Sequence, residues 1–274
     1  MAIFQFLLDL IFPKFCLGCQ KEGVWLCRSC QREILLVKTQ VCPECGRVSE
    51  YGEYCSKDRF IKPKGTKSKK ARALAGIITA AYYEEGPVKE LIHNFKYNHI
   101  LELKDILGGL MAKTLKDNLD IANGILITAV PLHFLRRAQR GYNQSELLAE
   151  YVADKMNERQ PKAGQPRVEK NFKIIKKIRR TKPQIKFSGK KRRENLKNSF
   201  KISRRTRFSV FGRKLKLGLR YPFVEQDLSC VSLKGKTIVL VDDVTTTGTT
   251  LNECAKVLRE AGAKRVWGLV VAKG

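Results

Sequence analysis

The sequence predicts an α/β protein, a parallel sheet with crossover helices, preceded by a small cysteine-rich module. Three observations carry that expectation. From about Leu74 onward, strand-like apolar runs alternate with segments of helical period, the pattern of βαβ units. Seven of the nine cysteines fall between residues 16 and 55, most of them in CxxC pairs. The 274 residues, 43% hydrophobic and 29% charged, suffice for one full domain with a proper core plus a smaller module.

In chain order, "MAIFQFLLDLIFPKF" comes first, an apolar run broken by Gln5 and Asp9. It has neither a basic start nor a small-residue cleavage site, which argues against a signal peptide. It is also shorter than the ~20 residues needed to span a bilayer. The expectation is a short amphipathic helix packed on the body of the protein, with peripheral membrane contact as the lesser reading. Without an export signal the expected compartment is the cytoplasm, where thiols stay reduced.

Two CxxC knuckles follow, "CLGC" (Cys16, Cys19) and "CRSC" (Cys27, Cys30). Each turn aims two thiolates at one point, and together they make a tetrahedral S₄ site for structural zinc. The second set is "CPEC" (Cys42, Cys45) with Cys55, and Asp58 stands where a fourth cysteine would be. Two readings stay open there, a Cys₃Asp zinc site or a degenerate site held by packing. Both sets look closed, which excludes a catalytic zinc and points to folding a segment too small for its own core. Cys230 and Cys254 stand alone and read as small hydrophobes.

Residues 59–73 form a basic stretch punctuated by Gly and Pro, expected to be a linker. Beyond it, "LAGIITAAYY" reads as a strand, and "GPVKELIHNFKYN" and "ELKDILGGLMAKTLKDNL" as helices. "GILITAVPL" is a buried strand and "YNQSELLAEYVADKMN" a helix. "TIVLVDD", "TLNECAKVLREAGA" and "RVWGLVVAKG" complete the series as strand, helix and strand. The expected organisation is a helix and cysteine module over 1–58, the linker 59–73, and an α/β domain over 74–274.

The net charge of +28 is unevenly spread. Residues 160–225 hold 23 Lys and Arg against three acids, so about +20 of the surplus lies in under a quarter of the chain. Concentrated charge of this kind favours polyanions, nucleic acid or phosphorylated small molecules, over a merely solvated surface. Phe200, Phe208, Phe211, Tyr221 and Phe223 interleave the basic tract. They suit base stacking or, equally, the apolar face of a covering hairpin.

The most informative stretch is "IVLVDDVTTTGTTLNECAKVL", residues 238–258. A strand over 238–244 and a helix from 250 place the intervening loop at the carboxyl edge of the sheet, where open α/β sheets bind ligands. "TTTGTT" supplies backbone N–H groups, hydroxyls and a helix N-terminus, all favouring a phosphate monoester. No lysine follows the glycine, which excludes a Walker A loop. Asp242 and Asp243 repel phosphate, so they are expected to address sugar hydroxyls or a magnesium ion, and the composite reads as a ribose 5-phosphate site. The plainer alternative is a strand end whose Thr249 or Thr250 caps the next helix.

"VLVDDVTTTGTT" resembles the phosphoribosyl-pyrophosphate (PRPP) signature of type I phosphoribosyltransferases, departing at Thr245, where that family usually has an apolar residue. "LLDLIFPKFCLGC", "LIHNFKY", "VPLHFLRRAQRGYNQSELLAE" and "RRTKPQIKFSGKKRRENLKNSF" are similar, in the same order, to blocks of the ComF family. In that family double zinc ribbons precede a phosphoribosyltransferase domain. The resemblance covers nearly the whole chain; Asp58 and a long basic insert from about Ser203 to Leu233 depart from it.

The resemblance implies a type I phosphoribosyltransferase fold with an N-terminal double zinc ribbon, and PRPP-dependent glycosyl transfer to an unnamed acceptor. Asp242 and Asp243 would take the ribose hydroxyls and Mg²⁺, and Thr246, Thr247, Gly248, Thr249 and Thr250 the 5′-phosphate. Arg136, Arg137, Arg140 and Gly141 would form the pyrophosphate loop, with solvent-exposed charge as the alternative for the arginines. Asn143 and Gln144 would cap the following helix. Arg179, Thr181, Gln184, Arg192 and Asn195 fit a hood within the basic region 160–233. The family's association with natural competence implies a second function class, an adaptor that handles single-stranded DNA, with a helicase as partner.

Overall fold

In the computed structural model, the described residues are 13–57, 60–61, 70–120, 124–158, 168–179, 196–203 and 233–274. The expected N-terminal helix, Asp58, and most of the basic insert lie outside them. The strands are β1 (Phe60–Ile61), β2 (Lys70–Ala71), β3 (Gly76–Tyr82), β4 (Ile125–Ala129), β5 (Val168–Lys170), β6 (Ile175–Lys177), β7 (Phe200–Ile202), β8 (Thr237–Thr245) and β9 (Arg265–Lys273). The α-helices are α1 (Arg28–Arg32), α2 (Val88–Tyr97), α3 (Leu103–Asn118), α4 (Phe134–Arg140), α5 (Gln144–Asn157) and α6 (Thr249–Glu260).

Five strands form one wholly parallel sheet in the order β3-β9-β8-β4-β5. β9 is buried along seven of its nine residues, as a parallel strand covered on both faces must be. Ile78, Val239 and Val241 face α2, α3 and α5, while Ile77, Ile238 and Leu240 face α6 and the β6–β7 hairpin. The helices match their sequence periods. Val88, Leu91, Ile92 and Phe95 form the buried stripe of α2, and Leu251, Cys254, Ala255 and Leu258 repeat that spacing on α6.

The cysteine module is built onto the sheet. Val37 N–H donates to Ala80 O, Tyr82 N–H to Leu35 O and Tyr54 N–H to Ala75 O, so two module segments cover the free edge of β3. The buried Gln40 side chain completes the cover. It accepts from Thr79 N–H at 2.9 Å and donates to Thr79 O at 3.0 Å.

Four features differ from the sequence expectation. The ends of the expected linker, β1 and β2, pair antiparallel; two-residue strands are too short to show a period. β8 runs to Thr245, one residue past the expected strand 238–244, so the first threonine belongs to the strand rather than the turn. Where a pyrophosphate loop was expected, residues 134–140 form a short helix, started by the His133 imidazole accepting from Leu135 N–H. β5, β6 and β7 arise inside the basic tract, where charge conceals the strand pattern.

Candidate functional site

The cysteine pairs fit zinc. Cys16, Cys19, Cys27 and Cys30 place their four sulfurs within 4.8 Å of one another, and Cys42, Cys45 and Cys55 do the same with three. The Cys19–Cys27 and Cys45–Cys55 sulfur separations, 3.6 and 3.7 Å, match the roughly 3.8 Å edge of a tetrahedron with 2.3 Å Zn–S bonds. Backbone N–H groups of Cys27 and Cys55 point at the sulfurs of Cys16 and Cys42. Burial alone would raise the Cys16 thiol, but the amides around it outweigh burial and bring it down to about 6, while Cys19 and Cys30 of the same cluster are raised, Cys30 first by burial and then by its neighbouring thiols. The Gly18 knuckle is also tight, since a Cβ there would lie 2.7 Å from the Cys30 sulfur. Among the described residues the second cluster has three ligands, and its expected fourth, Asp58, lies outside them.

A second constellation stands at the carboxyl edge of the sheet. Consecutive residues of β8 face opposite ways, so Asp242 and Asp243 point to different faces. Asp243 is buried and ion-paired with Lys96 of α2 at 2.9 Å. Burial alone would lower the Lys96 ammonium, but Asp243, seconded by Asp242, holds it above its ordinary value. Asp242 accepts a 2.9 Å hydrogen bond from the Ser145 hydroxyl at the start of α5. Its carboxyl is pushed up to about 7, first by burial and then by the charge of Asp243, against the pull of Ser145 and Lys96.

The turn after β8 folds back over the face that carries Asp242. Gly248 has φ +67°, and a Cβ there would meet Ile77 Cδ1 at 2.8 Å. The Thr245 hydroxyl accepts from Gly248 N–H at 3.1 Å, and the Thr247 and Thr249 hydroxyls are 2.7 Å apart. Gly248, rather than Thr249 or Thr250, is the N-cap of α6. Thr246, Thr247, Thr249 and Thr250 thus surround a helix N-terminus whose positive dipole end suits an anion.

The three arginines of α4 separate. Arg137 is ion-paired with Glu146 at 2.9 Å, and the Arg140 guanidinium lies 5.1 Å from the centre of the Tyr97 ring. Arg136 lies close enough to Lys177 for their charges to interact. Lys177, at the end of β6, is lowered by burial first and by the charge of Arg136 next, with Asp242 pulling the other way. Gly141 closes α4 in the left-handed conformation. Asn143 caps α5, accepting from Ser145 N–H, and ties it to Val130 O. Of the hood residues, Arg179 donates to Lys197 O and stitches the base of the β6–β7 hairpin. Thr181, Gln184, Arg192 and Asn195 lie outside the described residues.

Lys96, Ser145 and Lys177 are site residues that sequence reasoning did not single out. Lys96 lies in the block "LIHNFKY", but its partner is fixed by topology, as is that of Ser145, 97 residues from Asp242. Gln144, expected as a helix cap, is the first residue of α5, and its buried side chain hydrogen-bonds the Tyr142 hydroxyl.

Comparison with known proteins accords with this geometry. Residues 7–57 match the double zinc ribbon domain family and residues 206–273 the phosphoribosyl transferase domain family. Competence protein F of Haemophilus influenzae is 28% identical over 255 residues, 90% of each chain. The DNA utilization protein YhgH of Escherichia coli is 27% identical over 271 residues, 95% of this chain and 98% of that one. Among solved structures, phosphoribosylpyrophosphate synthetase from Mycobacterium smegmatis matches at 19% identity with a TM-score of 0.25. That match covers 60% of this chain and 33% of that chain. No helix among the described residues is long and apolar enough to cross a membrane.

Proposed function

Because the chain belongs to the ComF family, with a double zinc ribbon ahead of a phosphoribosyltransferase domain, we propose that its sheet-edge site binds the phosphoribosyl group of PRPP. The observation that carries this is the junction of Asp242 and Asp243 with the Thr246–Thr250 turn at the N-terminus of α6. An anion alone would not be served by two carboxylates, and a cation alone would not be served by a helix N-terminus. A sugar phosphate needs both, because its hydroxyls donate to carboxylates while its phosphate accepts from the turn.

In this reading the turn holds the 5′-phosphate, and Asp242 and Asp243 take the ribose hydroxyls. Lys96 keeps the charge of Asp243 in balance. Arg136 and Lys177 supply positive charge where pyrophosphate would leave C1′. Asp242 and Asp243 are the residues that would hold Mg²⁺, which when bound neutralises the pyrophosphate. Zinc in the ribbons serves folding, and the ribbons, the linker 59–73 and the domain from residue 74 are proposed as the chain's units.

The test is isothermal titration with PRPP and magnesium, wild type against Asp242→Asn/Asp243→Asn. Binding lost in the double variant supports the assignment, and equal heats refute it.

A second reading is favoured by the relatives' names, competence and DNA utilization, together with the charge concentrated in residues 160–225. In it the basic tract contacts single-stranded DNA. Affinity should then fall steeply with salt and weaken when residues 203–230 are deleted. A flat salt response removes it.

A further inference from the structure

A cleft of about 340 Å³ lies between the second ribbon and the β3–β9 side of the sheet. Its walls include Ile77, Thr79 and Tyr82 of β3 and Thr39, Val41 and Pro43 of the ribbon. The lining is mainly apolar with hydroxyls at intervals, and Tyr82 is 47% exposed. Both the size and the lining are those of a small-molecule site, which spans ~300–1,000 Å³. No residue assigned above to zinc or to the sugar phosphate lines it.

The cleft adjoins the phosphate turn. Ile77 is a wall of the cleft and also the side chain against Gly248 of the phosphate turn. Gly274, on another wall, donates from its backbone N–H to Thr245 O, one residue before that turn. The sheet order then places three features in sequence along the carboxyl edge: the cleft over β3 and β9, the carboxylates and turn after β8, and Arg136 after β4. In the phosphate-turn reading, C1′ and its leaving group would point toward Arg136, which sets the cleft at the opposite, 5′-phosphate end. An acceptor attacking C1′ would not reach it, whereas a group attached through the 5′-phosphate would.

We propose that this cleft takes a nucleoside joined to the turn-bound phosphate, its base packed between Tyr82 and the ribbon's Val41 and Pro43. The inference rests on the phosphate-turn reading above. The same chemistry occurs in free nucleotide sugars and at the end of a single strand.

The experiment is titration of the full-length, zinc-loaded protein with ribose 5-phosphate, with ADP-ribose and with a 5′-phosphorylated deoxydinucleotide. A stacked base should tighten binding about tenfold or more relative to ribose 5-phosphate. Whichever of the two larger probes binds more tightly identifies the source. Thr39→Trp fills the cleft from its exposed rim and should abolish this advantage while leaving ribose 5-phosphate binding unchanged. Tyr82→Ala should reduce the advantage in the same way and serves if the first variant misfolds. Saturation transfer from protein to the adenine protons should appear in wild type and vanish in Thr39→Trp.

Equal affinities for all three probes in wild type overturn the cleft and leave the turn standing. A gain that persists in both variants overturns it as well, since that gain is charge attraction alone. If none of the three binds, the phosphate-turn reading fails and the cleft proposal fails with it.

Discussion

The Lys96 ammonium lies 2.9 Å from a carboxylate oxygen of Asp243, bridging α2 and β8 at the carboxyl edge of the sheet. Both side chains are mostly withdrawn from water, at 20% and 12% exposure. Removing one partner therefore strands a charge in a poor solvent. Lys96→Met should cost about 2–4 kcal/mol in urea unfolding, and adding Asp243→Asn should return part of that. A double-mutant cycle with no coupling would show that the pair is incidental.

Asp242 predicts a pH signature. Its carboxyl is raised to about 7 by burial and by the neighbouring Asp243 charge. Between the ordinary carboxylate range and about pH 7, the folded chain binds a proton that the unfolded chain does not. Stability should therefore fall as pH rises from about 4 to 7 and then level off. Asp242→Asn should flatten that slope and add roughly 1–3 kcal/mol at pH 8. The proposed magnesium-dependent binding of PRPP would need the ionised carboxylate, so its affinity should drop below about pH 7. Calorimetric unfolding and titration across pH 5–8 check both, and an unchanged slope in the variant would remove the assignment.

Gly248 is held where no other residue fits easily. At φ +67° a side chain is strained, and a Cβ would press on Ile77 Cδ1 at 2.8 Å. Gly248→Ala should cost about 1–3 kcal/mol and weaken binding of ribose 5-phosphate at least tenfold, because the turn must open to relieve the contact. Thermal unfolding together with titration tests this. Unchanged affinity would show that the turn does not form the phosphate cradle.

The ribbon and the sheet should behave as one cooperative unit. Gln40 bonds both backbone groups of Thr79, and Tyr54, next to the ligand Cys55, packs beside Gly248. Gln40→Ala leaves those Thr79 groups without their partner and should cost about 1–3 kcal/mol. It should also raise hydrogen exchange at the Thr79 amide. Metal analysis should return one or two zinc per chain, and chelation should lower a single unfolding transition shared by the ribbon and the sheet. Absence of zinc would overturn the ribbon reading.

Much of the architecture was legible because its signals are local. The apolar runs that became β3, β4, β8 and β9 and the stripes of α2 and α6 need only neighbours in sequence. The CxxC spacing fixes two sulfurs per knuckle in the same way. Strands β5, β6 and β7 were not legible, because each is three residues long and mixes lysine with its one or two apolar residues, too little to reveal a period. The helical form of residues 134–140 was hidden too, since its cap, His133, is not a residue usually read as one.

For the candidate site, the sequence by itself determined the chemistry on offer: seven clustered cysteines, two adjacent carboxylates, and threonines about one glycine. Tertiary structure decided which groups meet. It turned Asp242 and Asp243 to opposite faces, gave them Ser145 and Lys96, and drew Arg137 away to Glu146. It also laid the ribbon along β3 to form the cleft. Residue type and spacing fix what one segment can bind, but only chain packing brings distant segments within the few ångströms at which charge and hydrogen bonding act.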